Sequence, residues 1–580
     1  MTGHITLSNK YANLPSASST AANTPAATED RPFAFPSSLS RHTSRLSERI
    51  VDDEKEMKKD KDVESGQQAP AEQYLPSVDY VAPEKVEMST RKAVLLGAVM
   101  MSTTFVASST LSSSLLCIPS TAADLDVTEL EAQWVSSAYS LANGVGLLVS
   151  GRFADIYGRK MLFLMGMAAF LVMNVISGVV RSYIGVCVLR ALAGLSISIS
   201  LPAAFGILGV NFTTEPRRTI GFAALALGYP VAAAVGLVIG GAISGVSSRG
   251  WQYVFFVDAG LALPALIGGV FLIPAEPARR SSVTNRKIDW VGAFLVTAGL
   301  SLFSFALTQS GVAAKGWSDP YIPVVLVIGL LLIVVYGFWE HWLANNSTTP
   351  PLTHLSIFTR QNWKVTAIIV VAFFAYIPIA GWNYLTTIWF QNYKHDTPIM
   401  NAVHIIPAPI FGVGACVLVP LLAPRVRAPV LLMMGSISTG IATVLFAVTQ
   451  DSTIWWSTPF LSTVFNPPGM LSPSFPGAYA DPLAGADITV GIGSVLMSNL
   501  VEEDEQSLAG ALFQTSLQIA STVGITVASL TQSEIAEKHG LLKGVQDSFW
   551  LMSGFCWLSA ILAIVTLRGV GLAKDVGKKE

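Results

Sequence analysis

The sequence is poor in charge. Only 13% of its 580 residues are Asp, Glu, Lys or Arg, against 51% hydrophobic, and the mean hydropathy is +0.53. A soluble domain carries about 25% charged residues. A soluble enzyme is therefore excluded, and a chain that crosses a membrane many times is expected. A formal net charge of -2 gives no basic surface for a polyanion, so nucleic acid is not an expected partner. Cysteine is scarce as well: Cys117, Cys187, Cys416 and Cys556 each fall inside an apolar run. They have neither the paired CxxC spacing of a zinc site nor an extracellular disulfide pattern, and read as packing residues; no metal or other cofactor is expected. No GxxxxGK[ST] stretch occurs, so ATP held in the P-loop manner is excluded and any driving force has to come from an ion gradient. An apolar leader core near Met1 is missing too, so the N-terminal stretch reads as a tail that stays in the cytosol.

What is present divides the chain. Residues 1–92 are rich in Ser, Thr, Ala and Pro and then run from Val51 to Asp62 in mixed charge, a composition that buries no core. A solvated, disordered tail is expected, with phosphorylation of its serines as the regulatory alternative. From Ala93 apolar runs begin, and a hydrocarbon layer about 30 Å thick asks for about 20 residues per helix. Fourteen candidates follow. Six lie near 93–118, 130–150, 161–180, 183–210, 219–243 and 251–274, two near 289–309 and 321–343. Six more lie near 365–391, 400–421, 429–449, 454–500 with an interruption, 507–531 and 548–568. The expected architecture is all-α: a half at 93–274, a linker and two-helix insert at 275–350, a half at 351–570 and a cytosolic tail at 571–580.

Basic residues orient the spans, because Lys and Arg near span ends stay cytosolic. Arg152, Arg159, Lys160, Arg217, Arg218, Arg279, Arg280, Arg286, Lys287, Arg360, Lys364, Arg425 and Arg427 all fall on one side of a fourteen-span chain. Both termini are expected on that side, and the sequons at Asn345 and Asn346 fall there too, so they should stay unglycosylated. Span 12 is irregular. Residues 466–482 hold five prolines and cannot be helix, which leaves a lineage insertion, an unspliced intron or a re-entrant break lining a binding site.

Between spans 2 and 3 stands Gly151-Arg152-Phe153-Ala154-Asp155-Ile156-Tyr157-Gly158-Arg159-Lys160. Charge that dense belongs at a membrane surface, where a tight loop is expected, with Asp155 close enough to pair with its basic neighbours. The decapeptide resembles the loop between spans 2 and 3 of the major facilitator superfamily. In that family the loop latches two six-helix halves on the cytosolic side, so the resemblance gives a gating role to Gly151, Arg152, Asp155, Gly158, Arg159 and Lys160. The six-two-six arrangement is similar to the fourteen-span drug:proton antiporter branch, as is Gln133 to Ala142 at the start of span 2. Gly485-Ala486-Asp487 with Glu502 to Leu512 resembles the fungal aminotriazole- and boron-resistance subgroup.

Several residues could carry transport. Arg190 lies about 12 Å inside span 4 at helical rise, and a guanidinium there is a functional candidate. It matches the family's span 4 arginine, which the resemblance links to proton coupling. Asp258 in span 6 and Asp487, in the span that pseudo-symmetry sets opposite Arg190's, could take up the proton or sit as satisfied interface residues. In span 5, Gly228, Pro230, Gly236, Gly240 and Gly241 permit close helix approach and a bend; they resemble the antiporter signature imperfectly, since Leu237 stands where a proline is usual. Span 1 has no carboxylate. Its Thr110 to Ile118 face is small and hydroxylated, unlike the acid common in drug:proton relatives, and suits an uncharged solute. Tyr139, Asn383, Tyr384, His404 and Gln514 are candidates for the substrate cavity, His404 also for a proton switch. The resemblance implies proton-coupled efflux of a small solute or drug-like compound by a monomer in the plasma membrane, or the vacuolar membrane. The alternatives are a low-affinity facilitator of a polar solute such as boric acid or ammonium, and a transporter-like nutrient sensor.

Overall fold

The computed structural model describes residues 89–212, 214, 216–244, 247, 249–275, 287–313, 316–466, 486–502 and 505–571. The first group of long helices is α1 Thr90–Leu116, α2 Trp134–Tyr157, α3 Arg159–Ser177, α4 Tyr183–Asn211, α5 Arg217–Ser244 and α6 Gly250–Leu272. The insert supplies α7 Trp290–Val312 and α8 Tyr321–Asn346. The last group is α9 Ser356–Thr387, α10 Pro407–Leu422, α11 Ala428–Ala447, α12 Thr458–Phe465, α13 Ala486–Leu500, α14 Gln506–His539 and α15 Leu541–Thr566. Local chemistry starts several of them: Ser182 accepts from the Gly185 amide at the head of α4 and Asp289 from the Gly292 amide at the head of α7.

Each group buries its own core. Phe163, Phe170, Phe205 and Phe222 pack among α3, α4 and α5, while Trp382, Phe446, Phe513 and Phe549 pack among α9, α11, α14 and α15. Apolar side chains such as Leu331, Val334 and Phe338 on α8 face outward, as expected for a helix in lipid. The insert does not stand apart. Val296 and Leu300 of α7 pack with Val145 and Leu148 of α2 and Ala511 of α14, so α7 lies across the seam between the two groups.

Among the described residues twelve helices are long and apolar enough to cross a membrane, two fewer than expected. α2 is long enough, but Ser136, Ser137, Ser140 and Asn143 dilute its apolar content. The other shortfall is span 12, which is represented by α12, of 8 residues, and α13, of 15, each too short alone. The proline-rich stretch from 467 to 482 lies outside the described residues, as do 1–88 of the expected tail, 276–286 of the linker and 572–580.

The expected surface loop at 151–160 is a correction. α2 stays helical through Tyr157, Gly158 alone reverses the chain at φ 103°, and α3 begins at Arg159. A side chain is strained at that φ, which is why the joint is glycine.

Candidate functional site: a latch, a buried charge pair and a central cavity

At the α2–α3 joint, Asp155 reaches the other helical group. Its carboxylate accepts from the backbone amides of Ser507 (3.3 Å) and Leu508 (3.0 Å), the first turn of α14. A helix N-terminus offers unpaired N–H groups and partial positive charge, so a carboxylate is favoured there. Arg159 holds the same carboxylate at 3.0 Å and donates from Nε to the Ser507 hydroxyl at 3.1 Å. Gly151 lets the helices meet, since a Cβ there would lie 2.6 Å from the Ala511 Cβ. Lys160 instead caps its own group, donating to the carbonyls of Val270 and Ile273 at the end of α6. Arg152 is buried. Two contacts that the sequence reading did not assign reinforce this end. Arg218 at the start of α5 donates to the carbonyl and hydroxyl of Ser498 in the last turn of α13, and Arg360 pairs with Glu505 at 2.5 Å.

Inside the first group Arg190 and Asp258 are buried on facing helices. Arg190 donates from Nε to the Val135 carbonyl at 3.0 Å and from Nη2 to the Ser114 hydroxyl at 3.3 Å, with its guanidinium 4.6 Å from the centre of the Tyr139 ring. Asp258 accepts from the Ser113 hydroxyl at 3.2 Å. Arg190 Nη1 and Asp258 Oδ1 have no hydrogen-bond partner, and the two side chains form no direct ion pair. Consecutive serines of α1 thus serve opposite charges. α1 is pressed into place by α5: a Cβ at Gly228, Gly236 or Gly240 would lie within 2.6 Å of an α1 atom, whereas at Gly241 the nearest atom is 3.5 Å away. Pro230 is buried in the same ridge. Asp487 falls in the first turn of α13, and its side chain lies outside the described residues.

Between the groups lies a cavity of about 40 Å³ lined by Tyr229 of α5, Tyr376 of α9, Gln514, Leu517 and Gln518 of α14, and Val490 of α13. Of the five residues expected to line a cavity, Gln514 does so. Tyr139 is buried in the first group and donates to the Ala107 carbonyl. Asn383 is exposed, and its amide is satisfied by the Ile379 carbonyl of its own helix. Tyr384 packs at the edge of the second core. His404 sits on the short helix Pro398–Ile405, 3.2 Å from Asp396 and stacked on Trp455, at the end opposite the latch. At that end Lys394 also bonds Asp451, holding the Asp451 carboxyl below its usual range. Tyr229, Tyr376 and Gln518 were missed: an aromatic or amide in an apolar run is no signal until its neighbours are known. Glu340 was missed although a lone acid in an apolar run could have found it; it is fully buried on α8 and accepts from the Thr353 amide.

The profile of the Major Facilitator Superfamily matches residues 96–492. Among relatives, the efflux pump terJ of Aspergillus terreus is 25% identical over 74% of this chain and 79% of its own. The low affinity ammonium transporter of Saccharomyces cerevisiae is 24% identical over 74% and 79%, and the aminotriazole resistance protein of the same yeast 25% identical over 74% and 76%. Of solved structures, the proton:xylose symporter XylE has the same fold, with a TM-score of 0.54 at 11% identity over 84% of this chain and 99% of that one. A transporter rather than an enzyme, the chain is an integral membrane protein that belongs to the Major Facilitator Superfamily.

Proposed function

We propose that the chain is a proton-coupled secondary transporter that exports a small solute, as a monomer in the plasma membrane with both termini in the cytosol. One observation carries the coupling: Arg190 and Asp258 are both buried and both partly unpartnered, and they share α1 without an ion pair. A carboxyl group so placed can hold a proton, and its loss leaves a charge that draws towards Arg190. Either state changes how α1 sits between α4 and α6, and α1 carries α5 with it through the glycine ridge. Asp487 is the second candidate for the proton. Release of Asp155 from the head of α14 opens the latch end, so that one half rocks against the other. The latch end bears Arg152, Arg159, Lys160, Arg217, Arg218, Arg360, Lys364, Arg425 and Arg427 against Arg181, Arg249, Lys394, Lys538 and Lys543 opposite, which supports a cytosolic latch. The names of two relatives, an efflux pump and a resistance protein, support export.

A second reading, a facilitator that moves a polar solute down its own gradient, is favoured by the absence of a carboxylate from the 110–118 face of α1. Flux in sealed vesicles with and without an imposed proton gradient separates the two. Gradient-driven flux is expected in the wild type, lost in Arg190→Ala and Asp258→Asn at equal protein level, with Asp258→Asn retaining downhill movement. Wild-type flux indifferent to the proton gradient would leave the facilitator.

A further inference from the structure

We propose that the central cavity takes a small uncharged solute bearing a hydrogen-bond acceptor, and that Gln514 Nε2 is the donor that recognises it. The proposal names the substrate class of the transport reading above and rests on it. Among the described residues, the cavity wall holds two tyrosines, two glutamines and aliphatic side chains, and no acid or base. A charged solute entering would lose its hydration with no opposite charge among those residues to replace it. A neutral solute loses only hydrogen bonds, which amides and hydroxyls can return.

Gln514 is the polarised part of that wall. The Tyr229 hydroxyl donates to its Oε1 at 3.3 Å. Its Nε2 is buried and has no partner, and the residue is 2% exposed. A buried amide donor left empty is costly, and an acceptor atom on a solute removes that cost. Size narrows the class further: the cavity, about 40 Å³, lies far below the roughly 300–1,000 Å³ of sites that hold drug-sized ligands, so the solute it suits is small.

Equilibrium binding to the purified protein in nanodiscs, with no gradient, tests this. Boric acid and urea serve as neutral probes, methylammonium and tetraphenylphosphonium as cationic ones. Wild type should bind a neutral probe, and Gln514→Leu should weaken that binding about tenfold, the worth of one hydrogen bond. Gln514→Glu, equal in size, should turn the preference towards methylammonium, and Tyr229→Phe should weaken neutral binding by a smaller factor. Cationic probes bound by wild type as tightly as neutral ones, neutral probes not bound at all, or neutral binding unmoved in both Gln514 variants would each overturn the proposal. Because binding is read without a gradient, absent proton coupling in vesicles leaves this result standing, and a failure here leaves the coupling test standing.

Discussion

Asp155 does three jobs with two oxygens: it accepts two backbone amides of α14 and holds Arg159. Asp155→Asn keeps the shape but offers one acceptor oxygen and no charge. The latch contact should weaken by about 1–3 kcal/mol, the usual cost of stranding buried donors. Spin labels across the latch end should then report a broader distance distribution than in wild type, and an unchanged distribution would mean that Arg218 and Arg360 hold that end without it. Half of this arrangement was readable in the chain. Ten ordered residues with charges between apolar runs announced Asp155 and Arg159, but the partners are peptide N–H groups about 350 positions away, which no side chain reveals. Asn383 and His404 drew attention for the opposite reason: polarity in an apolar run is visible, whereas satisfaction by the residue's own helix or by Asp396 is not.

At the scale of the element, the contact of α1 with α5 makes a sharper statement than glycine content. Gly240 meets the Ser113 carbonyl, with 2.5 Å to an added Cβ, and Gly241 meets only a leucine methyl at 3.5 Å. Gly240→Ala should therefore cost about 1–3 kcal/mol through overpacking, while Gly241→Ala should be neutral; thermal unfolding in detergent compares them directly. Equal shifts in Tm would show that the two helices do not meet as described. The five-residue motif in span 5 was legible as a packing face, yet which glycines are obligatory depends on the angle at which α1 crosses it. Span 12 was legible as irregular from its prolines alone, because a ring nitrogen without a hydrogen cannot continue a helix whatever surrounds it.

For the whole molecule, the alternation of spans places Arg425 and Asp451 at opposite ends, both exposed. Of the native cysteines three are buried and Cys187 is half-buried, so the background of labelling is low. In intact cells with the protein at the surface, a membrane-impermeant maleimide should label Asp451→Cys directly and Arg425→Cys only after permeabilisation; the reverse pattern would invert the topology. The insert matters at this scale as well. Since α7 packs across the seam of α2 and α14, any relative motion of the two groups would have to slide along α7 or carry it. The latch, finally, joins a side chain on one half to main-chain amides on the other. A scan of α14 by single substitutions other than proline would leave those amides in place, and such drift in the α14 sequence alters nothing that Asp155 binds. Compensating changes across the seam should therefore be absent from any family history: the acid can co-vary with Arg159 on its own half, but it has no side chain on α14 with which to do so.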